Sequence, residues 1–321
     1  MKRSFVMTMA VVLAASAAAQ AVEWRTIFSE DFSDPNGWSY SGVRNASSQN
    51  LIRPDGSGKL AAEWDQSNAI AQSQKLDGDG EPVLDDWGWP VYETTTLTSS
   101  TYSKPLGQTL TDADWFRFGA TVNFSYIGET TEFFQIANFG LTNMATTGPD
   151  RTYSGGGNFA TANNTVEFNY FNTTSPWALG RNVQPTMIAE DGTIVGGSTL
   201  DGWTSAHFAD ALPTSTDLFV QVTYRGDLRR SYAAVYTDAD RTSLLKIGEV
   251  AVEYWTTELP ADKSFVLTDA AFMNYVSTNW GGANGEGAGT FDDFYVQVPE
   301  PATLGLLGVG AAAVWMRRRG K

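Results

Sequence analysis

Residues 115–126 alternate without a break. Phe116, Phe118, Ala120, Val122, Phe124 and Tyr126 fall on one side of an extended chain, and Arg117, Thr121, Asn123 and Ser125 on the other. A period of two marks a strand with one buried face. The same period recurs in Thr26–Phe32, in Val166–Asn172 through Val166, Phe168 and Tyr170, and in Leu218–Tyr224, Ser231–Tyr236 and Phe291–Val298. Shorter apolar runs at Leu60–Trp64, Phe133–Leu141, Leu244–Val252, Phe265–Leu267 and Phe272–Val276 read as further strands. Turn signals such as Asp34-Pro35-Asn36-Gly37 and Thr237-Asp238-Ala239-Asp240 punctuate them. Residues 173–217 are less regular. No long helical period and no fixed-period repeat is visible, so the pattern predicts an all-β sandwich or barrel.

Both ends of the chain differ from this middle. Lys2 and Arg3 precede an apolar run from Phe5 to Ala19, and Ala19-Gln20-Ala21 forms an A-x-A site before Val22. That is the layout of a secretory signal peptide over residues 1–21, with cleavage between Ala21 and Val22. At the other end, Pro299-Glu300-Pro301 leads into an uncharged apolar run from Ala302 to Met316, then Arg317, Arg318, Arg319 and Lys321. Fifteen residues are short of the roughly 20 that cross a bilayer core as a straight helix. Arginines that snorkel to the interface lengthen the span. A basic cluster retained on the cytoplasmic side places the preceding domain outside.

The order of Pro-Glu-Pro, one hydrophobic segment and a basic terminus resembles the PEP-CTERM sorting signal of exported bacterial proteins. The resemblance assigns the sorting motif to Pro299, Glu300, Pro301, Arg317, Arg318 and Arg319. It implies an exosortase as processing partner, transient anchoring in the inner membrane, and a final place at the cell surface or in the extracellular matrix. Residues 299–321 are then a sorting segment with a short hydrophobic helix, and residues 22–298 a separate domain.

Charge limits what that domain can bind. The chain has 21 Lys+Arg and 36 Asp+Glu; setting aside Lys2, Arg3, Glu300, Arg317, Arg318, Arg319 and Lys321 leaves 15 basic and 35 acidic residues, a net charge of −20. Nucleic-acid affinity comes mainly from phosphate neutralisation, so this balance argues against it. There is no cysteine, so neither disulfides nor thiol catalysis enter.

Within the middle, Glu30-Asp31-Phe32 with Gly37-Trp38, and Phe291-Asp292-Asp293-Phe294-Tyr295-Val296, resemble the two edges of concanavalin A-like, laminin G-like jelly rolls. The resemblance implies a two-sheet antiparallel jelly-roll sandwich whose first and last strands pair. It also implies carbohydrate binding or a structural matrix role. Pairing would bring Glu30, Asp31, Asp292 and Asp293 together, a candidate site for a structural calcium ion, which takes several oxygen ligands. Trp87, Trp89, Trp177, Trp203 and Trp280 sit in predicted loops and are candidate carbohydrate platforms, since a flat ring covers a sugar face.

Catalytic signatures are weak, and no catalytic residue is assigned. The Glu-x-Asp-x-(x)-Glu string of related sandwich glucanases is missing, and Glu132 and Glu167 read as isolated acids. The loop Asp77-Gly78-Asp79-Gly80-Glu81 fails as an EF-hand because Pro82 stands where glycine is needed. The alternative reading is a glycan-active hydrolase or lyase with a non-standard site.

Overall fold

A computed structural model describes residues 22–34, 36–41, 51–65, 70–84, 88, 90–97, 100–128, 135–146, 152–153, 163–172, 181–196, 208–274, 276–277 and 286–300. The expected signal peptide and the segment beyond Glu300 lie outside these residues. The described secondary structure is all strand and turn. The first strands are β1 (Trp24–Glu30), β2 (Ser39–Ser41), β3 (Leu51–Pro54), β4 (Leu60–Asp65), β5 (Ile70–Gln74), β6 (Tyr92–Leu97) and β7 (Ser100–Thr111). There follow β8 (Trp115–Ile127), β9 (Gln135–Thr142), β10 (Thr152–Tyr153), β11 (Thr165–Phe171), β12 (Asn182–Ile188), β13 (Ile194–Gly196) and β14 (Asp217–Arg225). The last are β15 (Arg230–Tyr236), β16 (Lys246–Ile247), β17 (Val250–Ala251), β18 (Glu253–Trp255), β19 (Val266–Asn274), β20 (Val276–Ser277) and β21 (Glu286–Pro299).

Two antiparallel sheets make a jelly-roll sandwich. The eight-stranded sheet runs β18-β15-β14-β8-β21-β4-β3, with β1 also on β21. The seven-stranded sheet runs β13-β12-β11-β9-β19-β7-β2. β21 is 14 residues long: its first half pairs with β4 and its second half with β1, from Glu30↔Phe294 to Trp24↔Pro299. The expected pairing of first and last strands is therefore present.

Aromatic rings fill the space between the sheets. Phe118, Phe291 and Phe294 on the eight-stranded sheet meet Phe139, Phe168 and Phe272 on the seven-stranded one. Ring centroids lie 4.8–6.4 Å apart, in the range where edge-to-face and offset pairs are favourable.

Several sequence expectations are corrected in detail. Tyr126 does not share the core face of Phe116–Phe124; it is 49% exposed. Ala288 pairs with Tyr126 but Gly289 with Phe124, so Ser125 is the extra residue of a bulge, and a bulge reverses the facing of the residues beyond it. Leu244–Val252 is not one strand. Gly248, at φ +60°, turns it into the ribbon of β16 and β17. Conversely, Phe265–Leu267 and Phe272–Val276 belong largely to the single strand β19. The polar Thr268-Asp269 that divides them is a register shift, where Asp269 Oδ2 accepts from the Met144 amide at 3.0 Å. The first strand ends at Glu30, not Phe32, because the Phe32 amide donates to Glu30 Oε1 at 3.1 Å and Phe32 has φ +55°.

Candidate functional site

The outer face of the seven-stranded sheet is polar and buried. On β11, Val166, Phe168 and Tyr170 enter the core, so Thr165, Glu167 and Asn169 face outward. On β12, Val183 and Met187 enter the core, so Asn182, Gln184 and Thr186 face outward. Register partners form one row across six strands: Ser103, Ala271, Gly140, Glu167, Thr186 and Gly196. Glu167 is the one long side chain in a floor of small residues. A Cβ at Gly140 would stand 2.3 Å from the Val166 carbonyl oxygen and 2.6 Å from Glu167 Cα, so glycine there lets β9 and β11 approach closely beside Glu167.

The neighbouring row carries amides. Asn169 pairs with Gln184, and across a bulge at Ala137 (φ +56°) it faces Asn138. Asn169 Nδ2 donates to Glu167 Oε1 at 3.1 Å and to Thr186 Oγ1 at 2.7 Å. Asn138, Glu167, Asn169 and Gln184 are all buried. Yet both polar atoms of Asn138, both of Gln184 and Oδ1 of Asn169 have no hydrogen-bond partner among the described residues. Buried polar atoms are almost always paired, with protein, water or ligand. Five such atoms lie together on the adjoining strands β9, β11 and β12.

The four carboxylates expected at the strand ends do not converge as one set. Ser29, Glu30, Asp31, Asp293, Phe294 and Tyr295 line a shallow pocket of about 440 Å³. Glu30 is buried there, and its Oε2 accepts from Lys104 Nζ at 2.5 Å and from Trp38 Nε1 at 3.1 Å. Asp31 Oδ1 accepts from the Ser33 hydroxyl at 2.7 Å and the Ser33 amide at 3.0 Å, which hold its carboxyl below the usual range. Asp292 turns toward Lys59, with Oδ2 3.6 Å from Nζ, and burial pushes its carboxyl up. Glu30 and Asp292 thus each have an ammonium partner. Among the described residues no group of three or more His, Cys, Asp and Glu side chains is placed to hold a metal ion.

Trp87, Trp89, Trp177, Trp203 and Trp280 all lie outside the described residues, as do Ala19, Ala21, Pro301, Arg317, Arg318 and Arg319. Val22 precedes β1. Of the sorting tripeptide, Pro299 is a buried residue of β21 paired with Trp24, and the Glu300 amide donates to the Glu23 carbonyl at 2.8 Å. The sequence reading missed the polar rows. The signal was present in the residues between Val166, Phe168 and Tyr170, which are polar where an exposed strand face needs no amide opposite another amide.

The PEP-CTERM protein-sorting motif matches residues 297–319. No curated protein matches the chain. Among solved structures, the carbohydrate recognition domain of Emp47p is 13% identical, with 86% of this chain and 99% of that one covered and a TM-score of 0.40. A lectin from Bauhinia forficata in complex with GalNAc is 12% identical, covering 87% and 100%, at 0.39. The PL7 alginate lyase AlyA1 from Zobellia galactanivorans is 8% identical, covering 82% and 95%, at 0.38. The sandwich is established by its own strand order; what the sorting motif adds is a destination. This is an exported protein, held at the membrane or cell surface through its C-terminal segment.

Proposed function

We propose that the sandwich binds glycan of the extracellular matrix through the outer face of its seven-stranded sheet, after an exosortase has processed the sorting tail. The observation that carries this reading is the set of unpartnered amide atoms of Asn138, Asn169 and Gln184 beside Glu167. Sugar hydroxyls both donate and accept, as ordered water does, and so replace water on amides with little loss. An amide offers two donors and two acceptor sites, and a carboxylate takes hydroxyl protons. The net charge of −20 keeps the domain soluble outside the cell and disfavours nucleic acid.

Binding of the full-length protein to an array of bacterial polysaccharides tests this. The expected result is binding to a small set of glycans, lost in Glu167→Gln combined with Asn138→Leu. Binding to none of them, or binding untouched by the double variant, would remove the reading.

The calcium ion expected at the strand ends becomes a narrower proposal, with Asp31 and Asp293 as its carboxylate ligands and backbone carbonyls completing the shell. A thermal melt with and without EDTA decides it. A lower unfolding temperature in the chelator supports the ion; an unchanged one assigns this end of the sandwich to the Glu30–Lys104 and Asp292–Lys59 pairs alone.

A further inference from the structure

The sorting tripeptide leaves the fold without a linker. Pro299 is the register partner of Trp24, and the Glu300 amide still donates to the Glu23 carbonyl. Only Pro301 separates Glu300 from the apolar run that begins at Ala302. While that run is seated in a bilayer, the end of the sandwich that carries Pro299 is within a few ångströms of the lipid surface, since one residue spans at most about 3.6 Å.

The side chains at this end suit that place. Arg117 pairs with Gln297 and Arg225 with Trp115, so Trp24, Trp115, Arg117 and Arg225 surround the exit of β21 on the outer face of the eight-stranded sheet. The Arg117 guanidinium lies 4.5 Å from the Trp24 ring centroid and the Arg225 guanidinium 3.9 Å from that of Trp115. On the same edge, Arg225 pairs with Arg230, whose guanidinium stands 5.6 Å from the Trp255 ring. Trp255 and Leu228 are each 42% exposed. Tryptophan and arginine stacked together are the residues of a membrane–water interface: ring in the headgroup zone, charge toward phosphate.

Charge complementarity agrees. Five arginines gather at this end (Arg25, Arg117, Arg225, Arg229, Arg230), with Lys263 beyond them and Glu23, Asp112, Asp114, Asp191, Asp227, Glu258, Asp262 and Glu300 among them. Asp112 is bound to Arg229 and Asp227 to Arg225. A domain of net charge −20 thus gathers five of its 15 basic residues where the tail emerges, the part of its surface least repelled by anionic lipid. The floor is stiff as well. The turns at 112–114 and 226–229 pack so closely that a Cβ at Gly226 would stand 2.6 Å from Asp114 O, and Arg229 also donates to Leu259 O at 3.1 Å and Pro260 O at 3.0 Å.

We infer that, in the anchored state, the domain stands end-on with this Trp–Arg collar seated in the headgroup layer. The collar, and not the tail alone, orients the sandwich on the membrane.

The test uses the full-length protein in vesicles of phosphatidylcholine with phosphatidylglycerol, a fraction of the lipid brominated near the headgroup. A Trp315→Phe background removes the tail's own ring. Quenching of the remaining tryptophan emission is expected, with most of it lost in the triple variant Trp24→Phe, Trp115→Phe, Trp255→Phe. Trp38→Phe, which alters a ring stacked on Tyr102 beside Glu30, is expected to leave it unchanged. Absence of quenching, equal loss in both variants, or no loss in the collar variant overturns the inference. An emission change that follows protein concentration in place of lipid would assign the collar to a second copy of the chain, and overturns it also.

Discussion

Phe139→Ala is expected to lower the unfolding free energy by about 3–5 kcal/mol, at the upper end for a buried aromatic cut to a methyl group. Phe139 has no exposed surface and stands where the two sheets meet. Its ring centroid lies 5.4 Å from Phe168 and 5.8 Å from Phe272 within its own sheet. Across the core it lies 5.6 Å from Phe291 and 6.2 Å from both Phe118 and Phe294. Removing it opens a void walled by five rigid rings that cannot all turn inward. No disulfide stands behind the core, because there is no cysteine. Against a typical total of about 5–15 kcal/mol, one such void is a large fraction. Denaturant titration checks it: the midpoint should fall with the slope unchanged. A loss below about 1 kcal/mol would mean that the cavity collapses and that the ring cluster is not the joint between the sheets.

Gln184→Met should have the opposite sign. The Gln184 amide is fully buried, and neither its nitrogen nor its oxygen meets a partner among the described residues. Methionine has similar length and asks for no hydrogen bond. The expected gain is about 1–2 kcal/mol of stability, together with loss of glycan binding on that face. The neighbouring Asn169→Leu serves as the contrast. Asn169 Nδ2 holds both Glu167 and Thr186, so its removal strips a buried carboxylate of a donor and should cost about 1–3 kcal/mol. Opposite signs at two cross-strand neighbours separate an amide kept for a ligand from one kept for the fold. If Gln184→Met destabilised the protein, the amide would have to be holding the sheet together.

Much of the architecture was legible in the residues themselves. Alternation at Phe116–Phe124 and Leu218–Tyr224 identified strands and their buried faces, because side chains on a strand point to opposite sides in turn. The pairing of β1 with β21 was implied by the resemblance of Glu30-Asp31-Phe32 and Phe291–Val296 to jelly-roll edges, and the pairing is present. β12 was hidden by Pro185 in its centre, since proline gives no amide to a ladder and reads as an interruption. β7 was hidden in the same way by Pro105 and Gly107. Sequence shows the four acids at the strand ends but not the Lys104 ammonium that reaches Glu30 from 74 residues away.

The sequence by itself therefore determined an all-β, cysteine-free domain ahead of a sorting signal, and which face of most strands lies inward. The tertiary structure alone decided that Asn138, Glu167, Asn169 and Gln184 lie side by side, that Ser103 and Ala271, 168 positions apart, share one row, and that the sorting tripeptide begins inside the sheet. Periodicity is local and survives in one dimension, whereas register between strands is set by turns, bulges and packing that join distant parts of the chain.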